Sequence, residues 1–82
     1  MSKDKSRTAK YFDNYKRLGE NIKNLRKSKN ISQENLAFEV SSTRNYIGCI
    51  ERAEKFPSLA FIFDLANALE VEVKDLFDFK FG

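Results

Sequence analysis

The sequence predicts an all-α domain of four or five short helices. Apolar residues recur at steps of three and four over most of the 82 residues, which is the spacing of one helix face. Serine, threonine, asparagine and a single proline interrupt this spacing, and such residues begin and end helices. The alternation typical of a strand occurs only in the tail, over residues 77–81. A chain of this length with 41% apolar residues is expected to fold as one small globular domain.

A first helix is predicted over residues 12–28. Its apolar stripe comprises Tyr11, Tyr15, Leu18, Ile22 and Leu25. Lysines and an asparagine follow this stripe, as is common where a helix ends. Residues 1–10 lack apolar spacing and are predicted to form a flexible basic arm. Such an arm is most often only solvated, and the alternative is that Lys3, Lys5 and Arg7 bind a polyanion such as a phosphate backbone.

Shorter helices are expected after residue 31. Suitable N-caps are Ser32 for the second helix, Thr43 or Ser42 for the third, and Ser58 for the fourth. The third is expected over about 43–53 and the fourth over about 59–69, with a last helical turn near 74–77. Pro57 separates the third and fourth, because the residue before a proline is driven out of helical geometry. The domain is assigned to residues 11–78, with 79–82 as a C-terminal tail.

The charge is distributed unevenly along the chain. Residues 1–30 hold ten basic and three acidic residues, a net charge of +7, whereas residues 31–82 hold five basic and nine acidic residues, a net −4. A basic half indicates a polyanionic partner. With no histidine, one cysteine and three glycines, neither an enzyme nor a cofactor nor a metal site is expected. No apolar run is long enough to cross a bilayer, and a cytoplasmic location is expected.

The third helix is predicted to have one buried side and one polar side. At 100° per residue, the polar side spans about 140° and holds Arg44, Gly48, Arg52, Asn45 and Cys49, opposite Tyr46, Ile47 and Ile50. Arginine and asparagine pair with base edges in a major groove, and small residues allow a helix to approach the groove closely. The alternative interpretation is an ordinary solvated surface.

The second helix strengthens the DNA-binding interpretation. Two short helices separated by a few residues are the layout of a helix-turn-helix. Ala37 provides the small residue that a close helix crossing needs, and Ser41 provides a compact residue in the turn. The apolar contact between the two helices is assigned to Leu36, Val40, Ile47 and Ile50.

A resemblance to a known family covers about three-quarters of the chain. It spans Leu18 to Phe77, the run LGENIKNLRKSKNISQENLAFEVSSTRNYIGCIERAEKFPSLAFIFDLANALEVEVKDLF. This run resembles the Cro/phage-repressor-type (XRE-like) helix-turn-helix family without gaps, and TRNYIGCIER is most similar to controller proteins of restriction–modification systems. The resemblance implies a five-helix lambda-repressor-like DNA-binding domain with the helix-turn-helix formed by helices 2 and 3. It also implies a homodimer that places helix 3 in the major groove.

The resemblance further implies which residues contact DNA. Those expected to face base edges are Thr43, Arg44, Asn45 and Cys49. Those expected to bind phosphates are Ser32, Gln33, Tyr46, Arg52 and Lys55. For Tyr46 the alternative is a place at the edge of the core. For Cys49 the favoured interpretation is a small residue tolerated beside DNA, and the alternative is a redox role at the DNA face.

The sequence departs from the family pattern at three positions. Ser41 and Ala53 stand where glycine is frequent, and Ser42 stands where a buried aliphatic residue is common. A non-glycine residue in the left-handed conformation is strained by about 1 kcal/mol. Either Ser41 accepts this strain or the turn has a different geometry.

Arg26 and Glu51 lie on the apolar stripes of helices 1 and 3. A buried charge is costly unless it is paired. The two residues are therefore expected to form a structural ion pair, as the family resemblance also implies.

A homodimer interface is expected on helix 4 and the C-terminal residues. The core side of helix 4 is predicted to include Leu59, Ile62, Phe63, Ala66 and Leu69, with Phe61, Leu65 and Ala68 on the opposite side. The residues assigned to dimerisation are Phe61, Leu65, Val73, Leu76, Phe77 and Phe79. The alternative is that the C-terminal tail covers this stripe within one chain.

The polar side of helix 3 and the family resemblance together predict a sequence-specific transcription regulator. The resemblance implies that it binds an inverted-repeat operator as a dimer, in the role of a restriction–modification controller protein. The expected partners are double-stranded operator DNA, a second copy of the chain and RNA polymerase, with no membrane. No small-molecule ligand is expected, because the chain is too short for a separate sensing domain. The alternatives are a phage-type repressor and an antitoxin-like protein-binding module that uses the apolar C-terminal surface.

Overall fold

The computed structural model describes residues 9–79, and its helices follow the predicted order. We number them α1 (Phe12–Ser28), α2 (Gln33–Glu39), α3 (Arg44–Glu51), α4 (Leu59–Leu69) and α5 (Val73–Leu76). No strand occurs within residues 9–79, so the all-α prediction is confirmed. Residues 9 and 10 are already helical, which shortens the predicted arm. The remainder of that arm, residues 1–8, and the end of the tail, residues 80–82, lie outside the described residues.

Hydroxyl side chains begin three of the helices. The capping oxygens belong to Ser32, Thr43 and Ser58, and each accepts the backbone N–H three residues further along at 3.0 to 3.1 Å. Such a cap contributes about 1 kcal/mol to stability. The predicted N-caps are therefore confirmed, and Thr43 rather than Ser42 begins α3.

Four helices end in the same left-handed turn, and none of these turns contains glycine. The left-handed residues are Asn30, Ser41, Ala53 and Glu70, with φ values of 58°, 54°, 60° and 56°. In each turn the following N–H bonds back across six residues, as Ser42 N does to Ala37 O at 2.8 Å, which is the Schellman arrangement. Of the two alternatives for Ser41, the left-handed conformation with its strain is therefore the one observed. The turn has the geometry in which the family frequently places glycine.

The core lies between α1, the α2–α3 pair and α4, and α5 closes it. Its buried members are Leu18, Ile22, Leu36, Ala37, Ile47, Ile50, Ile62, Leu65, Ala66, Leu69 and Leu76. The crossing of α1 and α3 depends on Gly19, because a Cβ at that position would lie 2.6 Å from the backbone oxygens of Ile50 and Glu51. Any side chain at position 19 would force the two helices apart.

The buried face of α4 differs from the prediction. Leu65 is fully buried, whereas Leu59 and Phe63, predicted to face the core, are 64% and 52% exposed. The observed stripe is Ile62, Leu65, Ala66 and Leu69, at the spacing i, i+3, i+4, i+7. The prediction was right for Ile62, Ala66 and Leu69 and wrong for Leu59, Phe63 and Leu65. Because α4 is apolar on nearly all sides, periodicity alone did not select one face.

Two residues assigned to dimerisation belong to the core. Leu65 and Leu76 have no exposed surface within a single chain, so neither presents a side chain to a partner, and their assignment is corrected. Leu76 is held by α1, since Asn21 Nδ2 donates hydrogen bonds to the carbonyl oxygens of Leu76 at 3.0 Å and Asp78 at 3.4 Å. The C-terminal residues as far as position 79 are thus attached to α1.

A buried ion pair connects α1 to α3, as predicted. Arg26 and Glu51 are 7% and 6% exposed. Arg26 Nε and Nη2 donate to the two carboxylate oxygens of Glu51 at 2.7 and 3.1 Å, and Nη1 donates to the Ile31 carbonyl at 2.9 Å. Gln33 Nε2 donates to Glu51 Oε1 at 3.0 Å. One network therefore joins α1, the α1–α2 loop, the start of α2 and the end of α3.

We expect Arg26→Ala to lower the free energy of unfolding by about 3–5 kcal/mol, because it leaves the Glu51 carboxylate buried without its cation. For a domain of this size, the midpoint of thermal unfolding should fall by roughly 12 °C or more. Circular dichroism during heating measures it. The double variant Arg26→Met/Glu51→Leu removes both charges and should regain much of the loss. An Arg26→Ala variant that melts with the wild type would contradict the role of the pair.

We expect Ser41→Gly to stabilise the protein by up to about 1 kcal/mol, because glycine adopts the left-handed conformation without steric cost. The matched change Asn30→Gly should give a smaller gain, since asparagine tolerates this conformation better than serine. Thermal unfolding of both variants tests the comparison. A lower melting temperature for Ser41→Gly would contradict this expectation. It would show that the serine side chain stabilises the fold by more than its backbone strain destabilises it.

Candidate nucleic-acid interface

The exposed side of α3 carries the side chains that the sequence assigned to base contacts. Arg44 and Asn45 are exposed at its first turn, and Cys49 is half-buried one turn further along. On the opposite side Ile47 and Ile50 are 1% and 2% exposed. The core therefore holds α3 by its apolar side and leaves the polar side open.

The structure brings predicted residues from two helices together. Gln33 at the start of α2 lines a shallow depression with Arg44, Asn45, Gly48 and Arg52 of α3. A second depression beside it is lined in part by Ser32, Gln33 and Arg44. Base-reading and phosphate-binding candidates thus lie on one polar surface, which we call the α2–α3 surface and which comprises Ser32, Gln33, Arg44, Asn45, Gly48 and Arg52.

The N-cap residues of α2 and α3 keep hydrogen-bonding capacity. Ser32 and Thr43 each accept a backbone N–H through the side-chain oxygen. A hydroxyl that accepts a hydrogen bond still has its own proton to donate. Both residues are exposed, so a phosphate oxygen could accept that proton without disturbing the cap.

Gln33 is fixed by the buried ion pair. One N–H of its amide is bonded to Glu51, which leaves the second N–H and the carbonyl oxygen for other partners. The orientation of this side chain at the surface therefore depends on a contact that is mostly buried. Loss of the Glu51 carboxylate would therefore remove the contact that orients Gln33 on the α2–α3 surface.

Arg52 forms an exposed ion pair that the sequence did not predict. Its Nε and Nη2 donate to the Glu54 carboxylate at 3.0 and 3.2 Å. The hydrogen bonds with Glu54, and secondarily its charge, raise the pKa of Arg52 above its usual value. Those from Arg52 lower the pKa of Glu54, so both groups are charged at neutral pH. The spacing i, i+2 is not one at which helical side chains meet, so Glu54 gave no signal in the sequence.

Gly48 and Cys49 lie under the Arg52 side chain. A Cβ at position 48 would lie 2.9 Å from Arg52 Nη1. Cys49 is a free thiol, and Arg52 Nη2 donates to its Sγ at 3.9 Å. The small residues on this side of α3 therefore make room for the Arg52 guanidinium.

Tyr46 and Lys55 lie at the margins of the site. The ring of Tyr46 packs edge-on against Phe61 with 5.4 Å between ring centroids, and it contacts the core. This contact favours the core-edge alternative for the Tyr46 ring. Lys55 is exposed in the segment after α3.

Neither a metal-ligating cluster nor a membrane-spanning helix occurs among the described residues. Within residues 9–79, no group of histidine, cysteine, aspartate and glutamate side chains is placed to hold a metal ion. Over the same range, no helix has the length and apolar content needed to span a membrane.

A family model described as helix-turn-helix matches residues 22–76. The chain belongs to the helix-turn-helix family. Among curated relatives of this helix-turn-helix protein, the control protein C.BamHI of Bacillus amyloliquefaciens is 47% identical over 63 residues, which cover 76% of this chain and 78% of the relative. The control protein C.SmaI of Serratia marcescens is 41% identical over 59 residues, covering 72% and 70%.

The fold also matches a solved structure. The restriction–modification controller protein C.AhdI of Aeromonas hydrophila superposes with a TM-score of 0.79 at 37% identity, over 82% of this chain and 97% of that one. The resemblance to the XRE-like family and to controller proteins is thereby confirmed, together with the five-helix fold. The family consists of DNA-binding regulators of transcription rather than enzymes. In this helix-turn-helix protein, α2 and α3 form the motif.

Proposed function

We propose that this chain is a sequence-specific transcription regulator that binds an inverted-repeat operator as a dimer. One observation carries the proposal: α3 exposes Arg44 and Asn45 on the α2–α3 surface, while its isoleucines anchor it in the core. An exposed helix with arginine and asparagine at its first turn suits the major groove. Similarity to C.BamHI and C.SmaI supports a controller role, in which the protein regulates its own promoter.

The proposed contacts divide into base reading and positioning. Arg44 would pair with guanine and Asn45 with adenine, each bidentate contact contributing about 1–3 kcal/mol of discrimination. Thr43 and Cys49 would face the neighbouring bases or backbone. Phosphate contacts, which set the register, would come from Ser32, Gln33, Arg52 and Lys55, and from Tyr46 only through its hydroxyl.

The proposed dimer uses a revised apolar surface. Leu59 and Phe63 lie one turn apart on α4 and are both more than half exposed. They replace Leu65 and Leu76 in the interface, and Phe61, Val73, Phe77 and Phe79 keep their proposed place. Paired apolar residues on a small domain are typical of an interaction surface. A two-fold dimer would present its two α3 helices about 34 Å apart, which requires an inverted repeat in the operator.

Regulation would follow from concentration. Dimer formation and operator occupancy both rise with the amount of protein, and a domain of this size needs no ligand to produce a threshold. The protein would act where the DNA is, in the cytoplasm.

For the proposed contact with RNA polymerase, α2 offers Phe38, which is 82% exposed between the exposed Glu34 and Glu39. An antitoxin-like module would instead retain a protein partner while failing to shift any duplex.

We expect Arg44→Ala to lose base preference at one position of each half-site, by about 1–3 kcal/mol. Selection of bound duplexes from a random pool by the wild type defines the site, and gel shifts with single-base variants measure the loss. Lys55→Ala is the matched control, because a phosphate contact carries no base identity and its loss should weaken all duplexes alike. A variant Arg44→Ala with the wild-type preference at every position would refute the base-reading role.

We expect Phe63→Glu to dissociate the dimer, because it places a charge within the apolar surface of α4. Sedimentation at micromolar concentration gives the oligomeric state, and thermal unfolding checks that the variant is folded. Phe38→Glu is the matched control, since it makes the same change at an exposed phenylalanine of α2. A wild-type protein that sediments as a monomer would contradict the proposed dimer.

A further inference from the structure

The turn that ends α3 fixes the position of Glu54. Ala53 is left-handed, its N–H donates to Ile50 O at 3.1 Å, and Glu54 N–H donates to Cys49 O at 2.7 Å. These backbone bonds form the Schellman arrangement at this helix end. They hold the Glu54 backbone beside Arg52 independently of either side chain. The ion pair between the two is therefore built into the end of the helix that faces DNA.

The same pair fixes the position of Arg52. Two nitrogens of its guanidinium bind Glu54, and the third, Nη1, lies over Gly48 on the α2–α3 surface. Among residues 9–79, no hydrogen-bond partner is present for Nη1. The guanidinium is thus folded back along α3 with one nitrogen available, instead of extending freely into solvent.

An exposed ion pair of this kind contributes little to stability. Both side chains are more than half exposed, at 56% and 55%. The pair also places a carboxylate on a surface that must approach phosphates, where a negative charge opposes binding. The ion pair is therefore expected to affect DNA binding rather than the free energy of unfolding.

We propose that Glu54 is a positioning residue that makes DNA binding more selective by holding the guanidinium of Arg52 over Gly48. This inference rests on the proposed function. In a loose, non-specific complex, affinity comes from mobile cations that reach whichever phosphate is near. Because Glu54 holds its guanidinium, Arg52 cannot move freely to a nearby phosphate in such a complex. When α3 is fully seated in its operator, Nη1 is already in place and its contact costs less side-chain entropy.

The test compares a matched operator with a scrambled duplex. The probes are the duplex most enriched by the wild-type protein from a random pool, and a duplex of the same length and composition in scrambled order. For Glu54→Gln we expect the ratio of the two affinities to fall about tenfold, within the range that one base-reading contact supplies. Binding to the scrambled duplex should become tighter, and its salt slope should steepen by about one released ion.

Three further variants separate positioning from simple charge. Glu34→Gln removes the same charge from an exposed residue that lines the neighbouring depression, without an ion pair to Arg52, and should shift both affinities by the same factor. Arg52→Lys keeps the charge but loses the two-pronged contact, and should lower the ratio as Glu54→Gln does. Combining Glu54→Gln with Arg52→Lys should add little, because both remove one interaction.

The outcomes distinguish the two proposals. If the wild type binds both duplexes equally, the proposed function fails and the inference fails with it. If the wild type discriminates but Glu54→Gln keeps the ratio, or changes it only as Glu34→Gln does, the inference alone is overturned. A lower ratio for both Glu54→Gln and Arg52→Lys, with unchanged melting temperatures, supports the positioning role.

Discussion

The structure depends on one buried network, the ion pair of Arg26 and Glu51 with its attached groups. Glu51 is the last residue of α3, and its carboxylate binds α1 through Arg26 and α2 through Gln33. Arg26 also binds the Ile31 carbonyl in the loop between α1 and α2. Within residues 9–79 no buried side-chain polar atom lacks a partner, which is the condition under which buried charges are tolerated. The network therefore connects the end of α3 to α1, to the α1–α2 loop and to α2.

Helix ends shape the α2–α3 surface as much as helix faces do. The N-caps Ser32 and Thr43 carry exposed hydroxyls, and left-handed turns follow both helices of the motif. The turn at Ser41 aims α3 relative to α2, and the turn at Ala53 brings Glu54 beside Arg52. Strain of about 1 kcal/mol at each non-glycine residue is small against the packing that the turns permit. The α2–α3 surface therefore depends on backbone geometry that the residue types at these turns do not reveal.

The α4 helix shows where the reasoning from periodicity failed. Its sequence, LAFIFDLANAL, is apolar on nearly every side, so the spacing of apolar residues did not single out the buried face. Packing against the other helices selected the stripe with Leu65 and left Phe63 exposed. The exposed remainder is an apolar surface suited to a second copy of the chain. Polar residues on the exposed side of α4 would have identified its buried face from the sequence.

By itself, the sequence determined the helices, three N-caps, the buried ion pair and the polar side of α3. These are local features, or follow from the cost of burying unpaired charge, which permits few solutions. Only the tertiary structure decided which face of α4 is buried, that Gly19 allows α1 to cross α3, and that Glu54 meets Arg52. Each of these depends on the distance between backbones or on the turn after a helix, and neither quantity is encoded in the spacing of residue types.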